Sequence, residues 1–178
     1  MAATDSTASI EVENPATGEI IREVPVTPDV GELVQRARAA QGAWEALGFQ
    51  GRARILKRAQ RWVVDHADEI ADTIVSETGK AREDALLVEV AYGANALGFW
   101  AKKAPKWLAD ERVRSTNPIV LGRRMIVRYR PVGVVGVIGP WNYPLVNSVG
   151  DAIPALAAGN AVVVKPSEVT PLTSLLFQ

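Results

Sequence analysis

Gly136-Val137-Ile138-Gly139-Pro140-Trp141-Asn142-Tyr143-Pro144-Leu145-Val146, followed downstream by Lys165-Pro166-Ser167-Glu168, decides the reading of this chain. The first stretch reads as a buried strand, a tight loop carrying one exposed amide, and the start of a helix. The second leaves the end of another apolar run, Ala161-Val162-Val163-Val164, and delivers a cation and an anion together. Strand, helix, strand and helix, with both strands apolar throughout, is a βαβ signature. It predicts a parallel sheet with a right-handed crossover. Ligands of open α/β sheets sit beyond the carboxyl ends of such strands. These residues therefore predict half of a nucleotide site with an amide donor beside it.

Upstream of this unit the pattern is helical. Asn14-Pro15-Ala16-Thr17-Gly18 is turn chemistry inside a predicted hairpin from Ile10 to Val26. Thr27-Pro28-Asp29 opens a helix, with Thr27 expected as N-cap and Pro28 at its first position. Val30, Leu33, Val34, Ala37, Trp44 and Leu47 share its apolar face, and Gly48 is expected to close it. Further helices are expected from about Gly51 to Asp65, from Ala67 to Thr78 with Gly79 as C-cap, and from Arg82 to Leu108. Residues 118–130 read as a second hairpin or bent strand pair. Val132 to Ile138 and residues 161–164 are expected as strands buried on both faces. Pro144 to Ala158 reads as a helix, and Thr170-Pro171 starts another. Two such strands cannot cover both faces and edges of a parallel sheet, so a truncated protein with an exposed sheet edge is expected.

The composition narrows the function classes. The chain has 178 residues, 48% of them hydrophobic, with 20 Lys plus Arg against 20 Asp plus Glu. A neutral chain exerts no general pull on nucleic acid or anionic membrane. The longest apolar stretch, Pro131 to Trp141, is too short and glycine-rich to span a bilayer. The N-terminus lacks the features of a signal peptide, so a cytoplasmic protein without nucleic-acid or membrane partners is expected. There is no cysteine, which excludes disulfides, thiolate metal sites and thiol catalysis by these 178 residues. No metal site is expected.

Each candidate group has two readings. The NH₂ of Asn142 can donate to a developing oxyanion. Equally, Asn142 can cap the helix begun by Pro144. Glu168 can accept from both hydroxyls of a ribose while Lys165 donates to ribose or phosphate oxygens. Alternatively the two form a surface ion pair in a turn. Gly133, Gly136 and Gly139 do not have dinucleotide-fingerprint spacing. Glu77-Thr78-Gly79-Lys80 lacks the first glycine of a phosphate loop. Gly79 is read as a helix cap and Lys80 as a cation placed by the helix dipole. His66 is expected to be solvated, and the five tryptophans to lie mostly in the core.

Taken in order, these motifs resemble the aldehyde dehydrogenase superfamily. The resemblance also rests on Asn14-Pro15-Ala16-Thr17-Gly18, the Glu77–Lys80 helix end, Arg130-Pro131-Val132-Gly133-Val134-Val135 and Ala155-Leu156-Ala157-Ala158-Gly159-Asn160. It implies an α/β chain that is the N-terminal part of that fold. A helical layer would accompany the start of a parallel Rossmann-like sheet, with a β-hairpin oligomerisation element. Residues 1–8 are small and polar and are expected to be a flexible tail. By resemblance, 9–112 and 132–178 are an incomplete dinucleotide-binding domain and 113–131 part of the oligomerisation element, with the catalytic domain absent.

The resemblance further implies that Asn142 steadies the oxyanion. Ile138, Gly139, Pro140, Trp141 and Asn142 would line the cofactor cleft, and Lys165, Pro166, Ser167 and Glu168 would hold the adenosine ribose. The family reaction is thiolate attack on an aldehyde, hydride transfer to NAD(P)⁺, then thioester hydrolysis. The catalytic Cys and general-base Glu are expected beyond Gln178, so the chain alone is expected to be inactive. The carboxylate at 168 favours NAD⁺, and Lys165 leaves NADP⁺ open. The implied substrate is an aldehyde, with semialdehydes included, and the implied partner is a second copy in a dimer or tetramer. The alternative is a non-catalytic cofactor half-site or subunit-assembly module.

Overall fold

The computed structural model describes residues 8–178 except 115 and 121. All but the last residue of the expected tail at 1–8 lies outside the described residues.

The chain opens with an antiparallel hairpin, β1 (Ser9–Glu13) and β2 (Ile20–Pro25). Its turn is set by Asn14, whose Oδ1 accepts from the Ala16 N–H at 2.9 Å and whose carbonyl accepts from Gly18 at 2.8 Å. Val12 and Val24 point inward and pack on Leu172. Four helical segments follow: α1 (Val30–Ala46), α2 (Gly48–Asp65), α3 (Ala67–Thr78) and α4 (Arg82–Asp84). A π-helical segment, Ala85–Val90, joins α4 to α5 (Ala91–Trp107), so the long helix expected from Arg82 is one column with a bulge. Leu56, Val63, Ile70, Ile74, Val90, Leu97, Leu145 and Ile153 are the larger side chains of the main core.

Local chemistry corrects several boundaries. Asp29, not Thr27, caps α1, because its carboxylate reaches the Glu32 N–H at 3.0 Å. Gly48 does close α1: it follows the C-cap Leu47 with φ of +62°, and the same left-handed turn leads the chain directly into α2. His66 is not solvated. It is half-buried at the α2–α3 junction, stacked on Trp62 with ring centroids 4.5 Å apart. Trp107 and Trp141 are exposed rather than core. The second hairpin does not lie within 118–130. β3 (Glu111–Val113) pairs antiparallel with β4 (Met125–Val127) across a longer connection, and Arg128 clamps Asp110 through two bonds of 2.9 and 2.6 Å.

The C-terminal part of the chain contains a parallel pair, β5 (Val134–Ile138) and β6 (Ala161–Lys165). They are linked by a π-helical segment, Leu145–Gly150, that continues as α6 (Asp151–Ala158). The predicted βαβ unit is therefore present. Its strands are not buried on both faces, however. Val137 alone is buried in β5, Val132 lies outside the strand and is exposed, and residues 161–164 are half-buried. In addition, among the described residues β5 and β6 pair only with each other, so each also has an uncovered edge. A short helix, α7 (Leu172–Leu175), follows. Among the described residues no helix is long and apolar enough to cross a membrane.

Candidate functional site

The carboxyl ends of β5 and β6 finish side by side. Ile138 is in register with Lys165, and the Gly139 N–H donates to the Lys165 carbonyl at 2.9 Å. The two loops that leave the strands then stay together, because the Thr170 hydroxyl donates to the Trp141 carbonyl at 3.3 Å. Gly139 is required by packing. A Cβ there would overlap Ser148 Oγ and meet Ser148 Cα at 3.3 Å. Glycine thus lets the β5 tip press directly on the helix that follows the loop.

Two kinds of surface meet at this tip. Ile138 is 80% and Trp141 60% exposed, so an apolar patch faces outward. Beside it Lys165 Nζ donates to Glu168 Oε2 at 2.8 Å, with both side chains more than half exposed. The hydrogen bond from Lys165 is the main reason the Glu168 carboxyl is held below the usual carboxylate range, helped by the lysine charge. The surface ion pair read from the sequence is thus present, and it stands at the strand tip where ligands of open sheets bind. Pro166 is half-buried. Ser167 is turned inward, its hydroxyl accepting the Val169 N–H at 3.2 Å, so it shapes the turn. Pro140 is exposed beside Gly139.

Asn142 is exposed, and its amide does not cap the next helix. Pro144 occupies the cap position without a side-chain bond, and the π-helical N–H of Leu145 is satisfied by Glu89 instead. Among the described residues the Asn142 side chain takes no hydrogen bond, which leaves its NH₂ available to a ligand.

Three residues that hold this region have a different role from the one the sequence suggested, or none was read for them. Lys80 is not merely a dipole-favoured cation. It forms a close ion pair with Glu89, donates to the Asn142 carbonyl at 2.9 Å and lies 4.2 Å from the Tyr143 ring centroid. Glu89 is wholly buried, and its second oxygen accepts the Leu145 N–H at 2.9 Å. Glu77 is also buried and accepts the Leu172 and Thr173 N–H groups at 2.7 and 3.0 Å, together with the Thr173 hydroxyl. Burial pushes the Glu77 carboxyl above its usual range, and the three donors only partly oppose this. A readable signal existed for Glu89: it is the single charge in the run Ala85-Leu86-Leu87-Val88-Glu89-Val90-Ala91.

The model of the aldehyde dehydrogenase family matches residues 2–178. The mitochondrial succinate-semialdehyde dehydrogenase of Arabidopsis thaliana is 40% identical over 169 residues, which is 94% of this chain and 31% of that protein. The crystal structure of an aldehyde dehydrogenase from Brucella melitensis biovar abortus superposes with a TM-score of 0.88 at 34% identity, covering 98% of this chain and 35% of the other. PnpE in complex with nicotinamide adenine dinucleotide superposes with a TM-score of 0.87 at 32% identity, over 95% of this chain and 34% of PnpE. The chain thus spans about one third of the length of these relatives. With the family model matched from end to end, the parallel strand tips, the amide loop and the Lys165–Glu168 pair belong to a member of the aldehyde dehydrogenase family.

Proposed function

We propose that these residues form the cofactor-facing and oxyanion-facing wall of an enzyme that oxidises an aldehyde to its carboxylic acid with NAD⁺. The observation that carries the reading is the convergence at one strand tip of an unused amide, an exposed apolar patch and a lysine–carboxylate pair. In this reading Glu168 accepts from the hydroxyls of the adenosine ribose, and Lys165 donates to ribose or phosphate oxygens. Gly139, Pro140, Pro166 and Ser167 set the floor on which these groups stand. Ile138 and Trp141 lie against the flat cofactor ring. Asn142 Nδ2 donates to the aldehyde oxygen as it gains negative charge. The nicotinamide group, when bound, accepts the hydride. These 178 residues contain no cysteine, so the attacking thiolate of the family reaction is not among them.

Glu168 favours NAD⁺, since a 2′-phosphate would meet like charge. Lys165 is the residue through which NADP⁺ would be accepted. Succinate semialdehyde is the first substrate to test, on the strength of the Arabidopsis relative's name. The reaction belongs to the cytoplasm in this reading. A second role, assembly with a copy of the chain through residues 113–131, is favoured by Val113, Met125, Ile126, Val127 and Tyr129, apolar or aromatic side chains left exposed on the β3–β4 hairpin.

Calorimetric titration tests the cofactor assignment. The wild-type chain is expected to bind NAD⁺ with a Kd on the order of millimolar, and Glu168→Gln to weaken it about tenfold. Equal affinity of wild type and variant would remove Glu168 from the site.

A further inference from the structure

We propose that Lys80 is a positioning residue for Asn142, clamping the loop that carries the amide from an element 62 residues away in sequence. The inference rests on the reading of Asn142 as an oxyanion donor. Its geometric basis is independent of that reading.

Three contacts define the clamp. Lys80 Nζ donates to the Asn142 carbonyl at 2.9 Å, which fixes the peptide plane next to the Cα bearing the amide. The same ammonium stands 4.2 Å from the Tyr143 ring centroid, within cation–π range. Its third partner is Glu89, whose other carboxylate oxygen accepts the Leu145 N–H at 2.9 Å. Residues 142, 143 and 145 are therefore tied to one part-buried ion pair. Lys80 is only 16% exposed and Glu89 not at all, so water competes weakly for the ion pair, while the bond to the Asn142 carbonyl lies at the surface.

The backbone of both partners supports the same reading. Glu89 sits in one π-helical segment and Leu145 begins the other. Such segments are uncommon and recur at functional sites. Gly79, with φ of +70°, ends α3 immediately before Lys80 and lets the chain turn there. The outcome is a loop whose backbone is fixed from behind while the Asn142 side chain stays exposed and unbonded among the described residues. An amide held in this way loses little freedom when it meets a developing charge.

The bland alternative is that Lys80 only neutralises Glu89. A double variant separates the two. Lys80→Met with Glu89→Gln removes both charges together, leaves an amide oxygen to accept the Leu145 N–H, and abolishes the Lys80 contacts to residues 142 and 143. Nitrogen-15 relaxation on the full 178-residue chain reads the loop directly. The proposal expects order parameters of about 0.85 at Asn142 and Tyr143 in the wild type, falling below about 0.6 in the double variant, with the α2 and α5 amides unchanged. Wild-type order retained at 142 and 143 in the double variant would overturn it. A loop already below about 0.6 in the wild type would do the same, whether or not the double variant folds. The relaxation data judge the clamp alone, and the NAD⁺ titration judges the site, so the two can fail separately.

Discussion

At the residue scale, charges in this chain divide by burial. Glu77 is buried with its carboxyl pushed up by desolvation. The folded chain therefore holds that proton more tightly than the unfolded chain. The group's contribution to stability is full below the ordinary glutamate value and is lost as pH rises through the raised folded value. Urea midpoints taken from about pH 4 to pH 8 should fall with pH in the wild type more steeply than in Glu77→Gln. Identical slopes would show that Glu77 titrates as an ordinary carboxyl. Lys165 and Glu168 behave oppositely, being exposed and screened by water. Replacing both by Met and Gln should leave Tm unchanged in calorimetry, and a marked drop would mean that the pair supports the fold rather than a ligand.

Among elements, the β5 tip packs directly against the helix beyond the loop, with no room for a side chain at Gly139. Gly139→Ala should destabilise by about 1–3 kcal/mol, because its methyl has nowhere to go against Ser148. Adding Ser148→Gly removes the hydroxyl and Cβ in the way and should recover about half of that loss. Additive losses in chemical denaturation would mean that strain lies elsewhere. The same elements show what the sequence could convey. The βαβ order and the parallel pairing were legible because apolar runs and turn residues act locally. Strand burial was not. It depends on what lies beside β5 and β6, and the described chain leaves Ile138 exposed. The second hairpin was misplaced because its strands are only three residues each, too short for an alternation to register. Asn142, Lys165 and Glu168 were found as motif residues. Lys80 and Glu89 acquire their role only when α3, the π-helical segment and the loop are brought together.

For the whole molecule, the proposed cofactor wall and the thiolate chemistry are separable. No thiol is present in the 178 residues. The chain mixed with NAD⁺ and succinate semialdehyde should produce no NADH above a no-protein control at 340 nm, and production scaling with chain concentration would contradict the thiolate mechanism. The most direct test of the account is where NAD⁺ lands. Amide shift mapping of the nitrogen-15-labelled chain against rising NAD⁺ should perturb Ile138–Asn142 and Lys165–Glu168 together. Saturating shifts confined to another face, or none at those two segments while the cofactor binds, would contradict a shared site at the ends of β5 and β6.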